Sequence, residues 1–440
     1  MAENEAAENE PIEVDPVEGG PEERFDAIVV GGGVAGMVVA RDLAIGRLRV
    51  LLLEAGDRLG GKVVSHEVAG VVLDAGAESF ATRRGTVAAL ATELGLGPSI
   101  QAPDPAGAWL MPETGTPMPM PSTGLLGIPS VPLAADVIQV IGLRAALRAQ
   151  LDGLMIGFIG SKERNLARLV RRRMGRAVLD RLVRPVVSGI HSRPPEELDV
   201  DLVAPGLRTQ LLATGSLAAA VTKLREAAPA GSAVSGLSGG VHRLSEALAD
   251  DLERRGVEVR LGAAVTRAER TGVLLADGER IGARTVVLAA PLDSTAGSST
   301  TLATLVLDAP ELDAAPRGTG VLVASGAPGI RAKALTHSSA KWPWLSSTLP
   351  EHRHVLRLSY AGGQAVDAPL ALADASRILG VELDPSAVLG FDRVEWAGPV
   401  AVAGPEDGPA MVGESAAGTG LAAVVRQARE QAERLLEALE

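Results

Sequence analysis

The chain of 440 residues contains no cysteine. That excludes disulfides, thiolate metal sites, iron–sulfur clusters and cysteine nucleophiles. Aromatics are scarce, with four Phe, four Trp and one Tyr. Alanine, leucine and valine must therefore carry the packing, and a flat ligand meets mostly aliphatic walls. Long uncharged spans are missing as well: residues 114–135 hold five prolines, which no membrane-spanning helix tolerates. The six histidines show no metal-ligand spacing. His352 and His354 are expected to share a strand face without a third partner, and His191 and His242 sit beside turns, so no metal is expected. No secretory leader opens the sequence, which favours a cytoplasmic location.

The hydrophobic share of 46% marks a globular chain, long enough for two or three domains. The net charge of −12 is uneven, because residues 1–24 carry nine acids and one arginine. A tail of that composition cannot bury enough surface to offset its ordering entropy, so it is expected to be disordered. Residues 162–184 are rich in arginine, including Arg171, Arg172 and Arg173. In an acidic, aromatic-poor protein they read as a solvated helix face, and no nucleic-acid partner is expected. Within residues 136–160, Val140, Leu143, Leu147 and Leu151 recur at helical spacing, which predicts an ordinary packed helix, with a membrane-surface helix as the alternative.

The strongest local signal is "AIVVGGGVAGMVVARDL", residues 27–43. A short apolar strand over 26–31 runs into Gly31, Gly33 and Gly36, which fit G-x-G-x-x-G. The first glycine permits the tight turn, the second lets backbone approach a pyrophosphate, and the third lets helix pack on strand. A helix from Val34 and Ala35 to about Ile45 aims its N-terminus at phosphate. "RLRVLLLE" adds a second strand ending in Glu54, an acid placed to accept from a ribose hydroxyl. Next, "EAGDRLGGK" supplies Ala55, Arg58, Gly60, Gly61 and Lys62. The adjacent glycines present backbone N–H groups suited to the second half of a pyrophosphate. Near the C-terminus, "AMVGESAAGTGL" reads as strand, Gly413, Glu414, a turn at Gly418 and Gly420, and a helix starting about Leu421, with partial positive charge at its start.

The run E-x-x-x-R-x-G-G after the fingerprint resembles the flavin family that includes amine oxidases, phytoene desaturases and protoporphyrinogen oxidases. Further segments, in order, resemble its protoporphyrinogen/coproporphyrinogen oxidase group: "LDAGAESFATRRGTVAALATELGLG", "LMPETGTPMPMPSTGLLGIPSVPL", "RRRMGRAVLDRLVRPVVSGIHSRPPEELDVDLVAPGL", and "THSSAKWPW" with "HVLRLSYAGG". The resemblance implies FAD as cofactor, with backbone near Val265 facing the adenine and the C-terminal element at the flavin ring. It implies a porphyrinogen substrate oxidised by O2, with hydrogen peroxide as product in haem biosynthesis. Arg83 and Arg84 are the candidate partners of the propionates, Arg84 matching the family's basic position best, and arginine suits bidentate carboxylate contact. No side-chain base stands out, so no catalytic residue is named. Lys341 and Trp342 read as fixing a strand end.

The expected fold is α/β. A Rossmann-like FAD-binding domain would be built from residues 25–90, 231–291 and 397–440. A substrate domain would comprise a helical region at 91–230 and an antiparallel sheet at 292–396. No second G-x-G-x-x-G follows, which disfavours reduction by NADPH, and the absent cysteines disfavour a disulfide-reducing flavoenzyme. The sequence departs from the group after "VEWAG", where only "PVAVAGPEDGP" stands in place of an expected helix. Two rival readings follow. One is an amine oxidase, which the single tyrosine disfavours. The other is a flavin- and porphyrin-binding scaffold that has lost turnover. Peripheral membrane contact, and contact with other haem-pathway enzymes, are compatible with the sequence.

Overall fold

The structure is a computed structural model that describes residues 25–82, 85–113, 116–121, 124–191, 193–226, 234–292, 299–324, 326–398 and 408–439. The acidic tail, Arg83, Arg84 and residues 399–407 of the shortened segment lie outside the described residues.

One sheet is centred on Phe25–Val30, which pairs in parallel with Val50–Leu53 on one side and Arg280–Leu288 on the other. Glu258–Arg260 extends the first side in parallel, and Ala410–Met411 pairs in parallel with Arg280–Leu288. Gly272–Leu275 and Val265–Glu269 continue as an antiparallel meander. The central strand is apolar on both faces because both are covered. Ala27 and Val29 pack with the helices Val34–Ile45, Arg243–Arg254 and Leu421–Leu439. Ile28 and Val30 pack with Val273, Leu275 and Ile281 of the meander. The two-residue period thus divides one strand between two cores.

A second sheet has the order Val388–Ala397, Ser299–Asp308, Arg353–Ala361, Ala334–His337, Gly320–Val323, Ala108–Met111, Met118–Pro119. Its neighbours are antiparallel except for Gly320–Val323 with Ala108–Met111, which run parallel. Two of its strands therefore come from the region that the sequence reads as helical. Leu356, Leu358 and Tyr360 face the helix Ala368–Leu379. Val355 faces the hairpin Ser65–Val68/Val71–Asp74 with Val306 and Trp342. This alternation puts Arg357 on the hairpin side, toward the nucleotide-binding sheet.

The helical region has its own core, including Val137, Ala146, Ala149, Leu166 and Val170. Here the expected single packed helix is corrected. The chain breaks at Gly142, at φ 82°, into Ala135–Ile141 and Leu143–Gln150. The second helix buries Ala146 and Ala149, while Leu143, Leu147 and Leu151 face solvent. Small alanines allow close helix packing, and the glycine resets the helical phase, so the leucine stripe points away from the core. Arg173 is a second correction, because it is fully buried rather than on a solvated face. Its guanidinium lies 2.5 Å from Asp152, which is also fully buried. Other arginines of the run are paired at the surface: Arg164 with Asp199, Arg176 with Asp180, and Arg184 with Glu196. His352 lies before its strand at φ 61°, so it shares no strand face with His354. Both instead reach Asp313, at 2.6 and 3.0 Å.

Candidate functional site

The first strand ends at Gly31 with φ 104°, a conformation that L side chains rarely adopt. A Cβ on Gly36 would lie 1.9 Å from the Gly31 carbonyl, so helix and strand end touch backbone to backbone. Gly33 differs from both. Its backbone is ordinary extended chain, φ −71° and ψ 175°, and an added Cβ would meet nothing within 4 Å. That open space lies at the start of the helix Val34–Ile45, whose first turn has no acid and no capping side chain. The N–H groups of Val34 and Ala35 are the first of that helix, where unpaired donors and the dipole favour an anion.

Glu54 follows the strand Val50–Leu53 and is tied to the turn. Its Oε2 accepts from the Gly32 N–H at 2.6 Å and its Oε1 from the Gly56 N–H at 2.8 Å. The Glu54 carbonyl accepts from the Ala263 N–H, two residues before Val265 opens its strand. Ala55 continues on the exposed side, and Arg58 is exposed, its guanidinium 3.4 Å from the Gly61 carbonyl. Gly60 forms a parallel bridge with Gly33, and a Cβ on Gly61 would lie 3.2 Å from the Gly33 Cα. The two glycine turns, far apart in reading order, thus form one surface.

The C-terminal element closes on the same place. A Cβ on Gly413 would lie 3.5 Å from the Ala35 Cβ. Lys62 Nζ sits 2.5 Å from Glu414 Oε2, an ion pair spanning 352 residues. Gly418 and Gly420 hold φ of 81° and 111°, with no neighbour within 4 Å of an added Cβ, and Leu421 starts the last helix.

A second layer, which the sequence did not disclose, fixes residues 74–78 beside this surface. A Cβ on Gly76 would lie 1.7 Å from the Lys62 carbonyl. The Arg357 guanidinium donates to the Gly76 carbonyl, and Trp396 Nε1 donates to the Ala75 carbonyl at 2.9 Å. Asp74 accepts from the N–H groups of Val241 and His242 and lies 2.8 Å from His242 Nδ1. Glu78 lies 2.5 Å from Lys341 Nζ and 3.6 Å from Arg357 Nη1, and accepts from Ser338 Oγ. Burial alone would raise the Glu78 pKa, but the charges of Lys341 and Arg357 outweigh it and hold the carboxyl below its usual range. A cavity of about 20 Å³ beside it, lined in part by Asp74, Glu78, Trp342 and Arg357, has room for about one water. The one sequence signal for this layer was an arginine at an inward position of "HVLRLSY". Lys341 closes the short helix Ser338–Lys341, and its ammonium neutralises the distant acid Glu78.

The donor set fits a dinucleotide: an uncapped helix N-terminus opens on space that a Cβ at position 33 would enter without contact. Comparison with known proteins identifies which one. The family of flavin containing amine oxidoreductases matches residues 34–320. A coproporphyrinogen III oxidase from Propionibacterium freudenreichii is 28% identical over 417 residues, covering 81% of this chain and 78% of that protein. A coproporphyrinogen III oxidase from Mycobacterium bovis is 30% identical over 379 residues, covering 81% and 80%. Among solved structures, a protein from Exiguobacterium sp. 255-15 assigned as a protoporphyrinogen oxidase superposes with a TM-score of 0.77 at 23% identity, over 94% of this chain and 98% of that one. That last likeness is one of fold. The cofactor is FAD and the protein is an oxidoreductase; the chain belongs to the flavin containing amine oxidoreductase family, among the protoporphyrinogen and coproporphyrinogen III oxidases.

Proposed function

We propose that this protein oxidises coproporphyrinogen III to coproporphyrin III in haem biosynthesis, in the cytoplasm, using O2 and releasing hydrogen peroxide. Protoporphyrinogen IX is the alternative tetrapyrrole. The observation that carries the reading is the match, over about four fifths of both chains, to proteins named coproporphyrinogen III oxidase.

FAD, when bound, supplies the two-electron acceptor that each of three successive oxidations needs and whose reduced form is reoxidised by O2. The protein's residues hold and orient. Gly31, Gly33, Gly36 and the first N–H groups of the helix, at Val34 and Ala35, take the pyrophosphate. Glu54 and Ala55 take the ribose, and the backbone at Val265 takes the adenine. Arg58, Gly60, Gly61 and Lys62 line the flavin half from one side; Gly413, Glu414, Gly418, Gly420 and Leu421 line it from the other. The Lys62–Glu414 ion pair ties the two sides together. The carboxylate of Glu78, neutralised by Lys341 and Arg357, anchors the 74–78 segment beside the glycine surface, where that segment would help orient a tetrapyrrole against bound FAD. Arg83 and Arg84 pair with propionates.

Tyr360 bears on the amine-oxidase reading, since it is fully buried in the core beneath Ala368–Leu379 and cannot line an aromatic cage. The test is reconstitution with FAD followed by aerobic incubation with each porphyrinogen, reading porphyrin fluorescence and peroxide together. Faster formation of coproporphyrin, with about three peroxides per porphyrin as three two-electron steps require, supports the proposal. A yellow protein that binds porphyrin but makes no peroxide overturns it in favour of a scaffold. Consumption of a primary amine with both porphyrinogens untouched overturns it in favour of an amine oxidase.

A further inference from the structure

A cavity of about 280 Å³ lies at one end of the second sheet, and no residue of the glycine surface lines it. The strands Ala108–Met111, Gly320–Val323 and Arg353–Ala361 begin at this end, and Ala334–His337 finishes at it. Backbone bonds hold the walls together. The Thr319 N–H donates to the Gly107 carbonyl at 2.8 Å, the His337 N–H to the Thr319 carbonyl at 3.0 Å, and the Asp104 N–H to the Lys341 carbonyl at 2.9 Å. Small-molecule sites start at roughly 300 Å³, whereas one water takes about 30 Å³, so the space suits a small organic molecule. Its bordering loops are strained: Ala315, Arg317 and His352 hold φ of 46°, 60° and 61°, three of the six non-glycine residues with positive φ among the described residues.

Two buried polar atoms here have no protein partner. His337 is fully buried and lines the cavity, yet its Nδ1 bonds to nothing. Arg353 also lines it, and its buried Nε–H is likewise unpaired. Such atoms are costly unless something meets them. The kind of partner follows from a relay. Hydrogen bonds from His354 and His352 hold the Asp313 carboxyl below its usual range. As a carboxylate Asp313 only accepts, so His354 Nε2 donates to it at 3.0 Å. When His354 is neutral its Nδ1 accepts from the His337 Nε2–H at 3.1 Å, which leaves His337 Nδ1 a bare lone pair. The cavity therefore presents one acceptor and one charged donor.

The remaining charges select the ligand. Asp313 is taken by two imidazoles. That leaves Arg353 and Asp104 on the lining, one charge of each sign, and neither has an ion-pair partner among the described residues. A simple anion would satisfy Arg353 but set its own lone pairs against His337 Nδ1 and Asp104. The described residues hold no group of three or more metal-ligating side chains that could bind an ion. A molecule carrying both an ammonium and a carboxylate group matches the whole set. Ala106, Leu312, Ala340 and Pro343 supply apolar wall for a short aliphatic side chain.

We propose that this cavity binds a small aliphatic α-amino acid. The ammonium group donates to His337 Nδ1 and faces Asp104, and the carboxylate accepts from Arg353 Nε. This holds whichever substrate the flavin oxidises.

The full-length holoprotein is titrated calorimetrically with L-valine, with isovalerate, which lacks the ammonium group, and with isobutylamine, which lacks the carboxylate. The titrations are anaerobic, so that no turnover contributes heat, and run at about pH 8, above the ordinary imidazole pKa. L-Valine should bind with a Kd of about 1 mM or tighter, and each truncated probe at least about tenfold more weakly, because each leaves a buried group unpaired. Arg353→Met should weaken L-valine at least about tenfold and bring it within about threefold of isobutylamine. Asp104→Asn, which keeps an acceptor for the Ala106 N–H, should weaken L-valine and spare isovalerate. Both side chains are only half-buried, so both variants should keep the parent's thermal midpoint and flavin absorbance. The proposal is overturned if L-valine shows no saturable binding, if the folded variants bind it like the parent, or if either truncated probe binds the parent as tightly as L-valine.

Discussion

Replacing Gly33 by alanine separates the cofactor's demand from the fold's. At φ −71° and ψ 175° an alanine is unstrained, and its Cβ would meet no atom within 4 Å. Loss of glycine's freedom in the unfolded chain should stabilise the apoprotein by about 0.4–1 kcal/mol. The same methyl group stands where a pyrophosphate must approach the helix N-terminus. Displacing it from two charge-assisted N–H contacts costs about 3 kcal/mol, an increase in Kd for FAD on the order of a hundredfold. Gly36→Ala should behave in the opposite way. Its Cβ would be driven to 1.9 Å from the Gly31 carbonyl and 3.1 Å from the Ala289 Cβ, so the helix must back away from the strand. Such overpacking costs about 1–3 kcal/mol of apoprotein stability. The assays are titration of apoprotein with FAD by flavin fluorescence and thermal unfolding of apoprotein by circular dichroism. If Gly33→Ala binds FAD within about threefold of the parent, a change of less than about 1 kcal/mol, the space at Gly33 is not where the cofactor lies and the site assignment fails.

Three further outcomes follow from buried titratable groups. Asp152→Ala leaves the Arg173 guanidinium buried without its counter-ion and should cost about 3–5 kcal/mol in denaturant unfolding, whereas a loss below about 1 kcal/mol would show that carbonyls alone satisfy it. Glu78 has its pKa depressed in the fold, so its contribution is present above the unfolded value near 4.5 and is lost as pH falls through the lower folded value. Glu78→Gln should therefore flatten the acid limb of a stability profile, and an unchanged limb would count against the Lys341–Arg357 pairing. Burial, reinforced by nearby His354, pushes the His337 pKa down to about 3 from 6.5. Between these values the unfolded chain binds the extra proton, so stability falls as pH drops from about 6.5, by at most about 5 kcal/mol over the window. His337→Gln should remove that slope, as read from urea midpoints at several pH values.

The sequence by itself determined the nucleotide-binding unit, because its signals are local. Gly31, Gly33 and Gly36 lie in one turn, the flanking strand and helix show their own periods, and Glu54 follows directly on the next strand. The second glycine pair and the Gly413–Gly420 turn were legible for the same reason, as was the division into a nucleotide-binding sheet and a further sheet. Only the tertiary structure decided that Glu78 would be neutralised by Lys341 and Arg357, 263 and 279 residues away, since charge pairing between a loop, a helix and a strand so far apart leaves no mark on local spacing. It also decided the parallel entry of Ala108–Met111 beside Gly320–Val323. The leucine stripe at 143–151 is the clearest division between the two. Periodicity announced an apolar face, but which way that face turned depended on the phase reset at Gly142, on the small volumes of Ala146 and Ala149, and on a buried Asp152–Arg173 pair whose partners lie 21 residues apart.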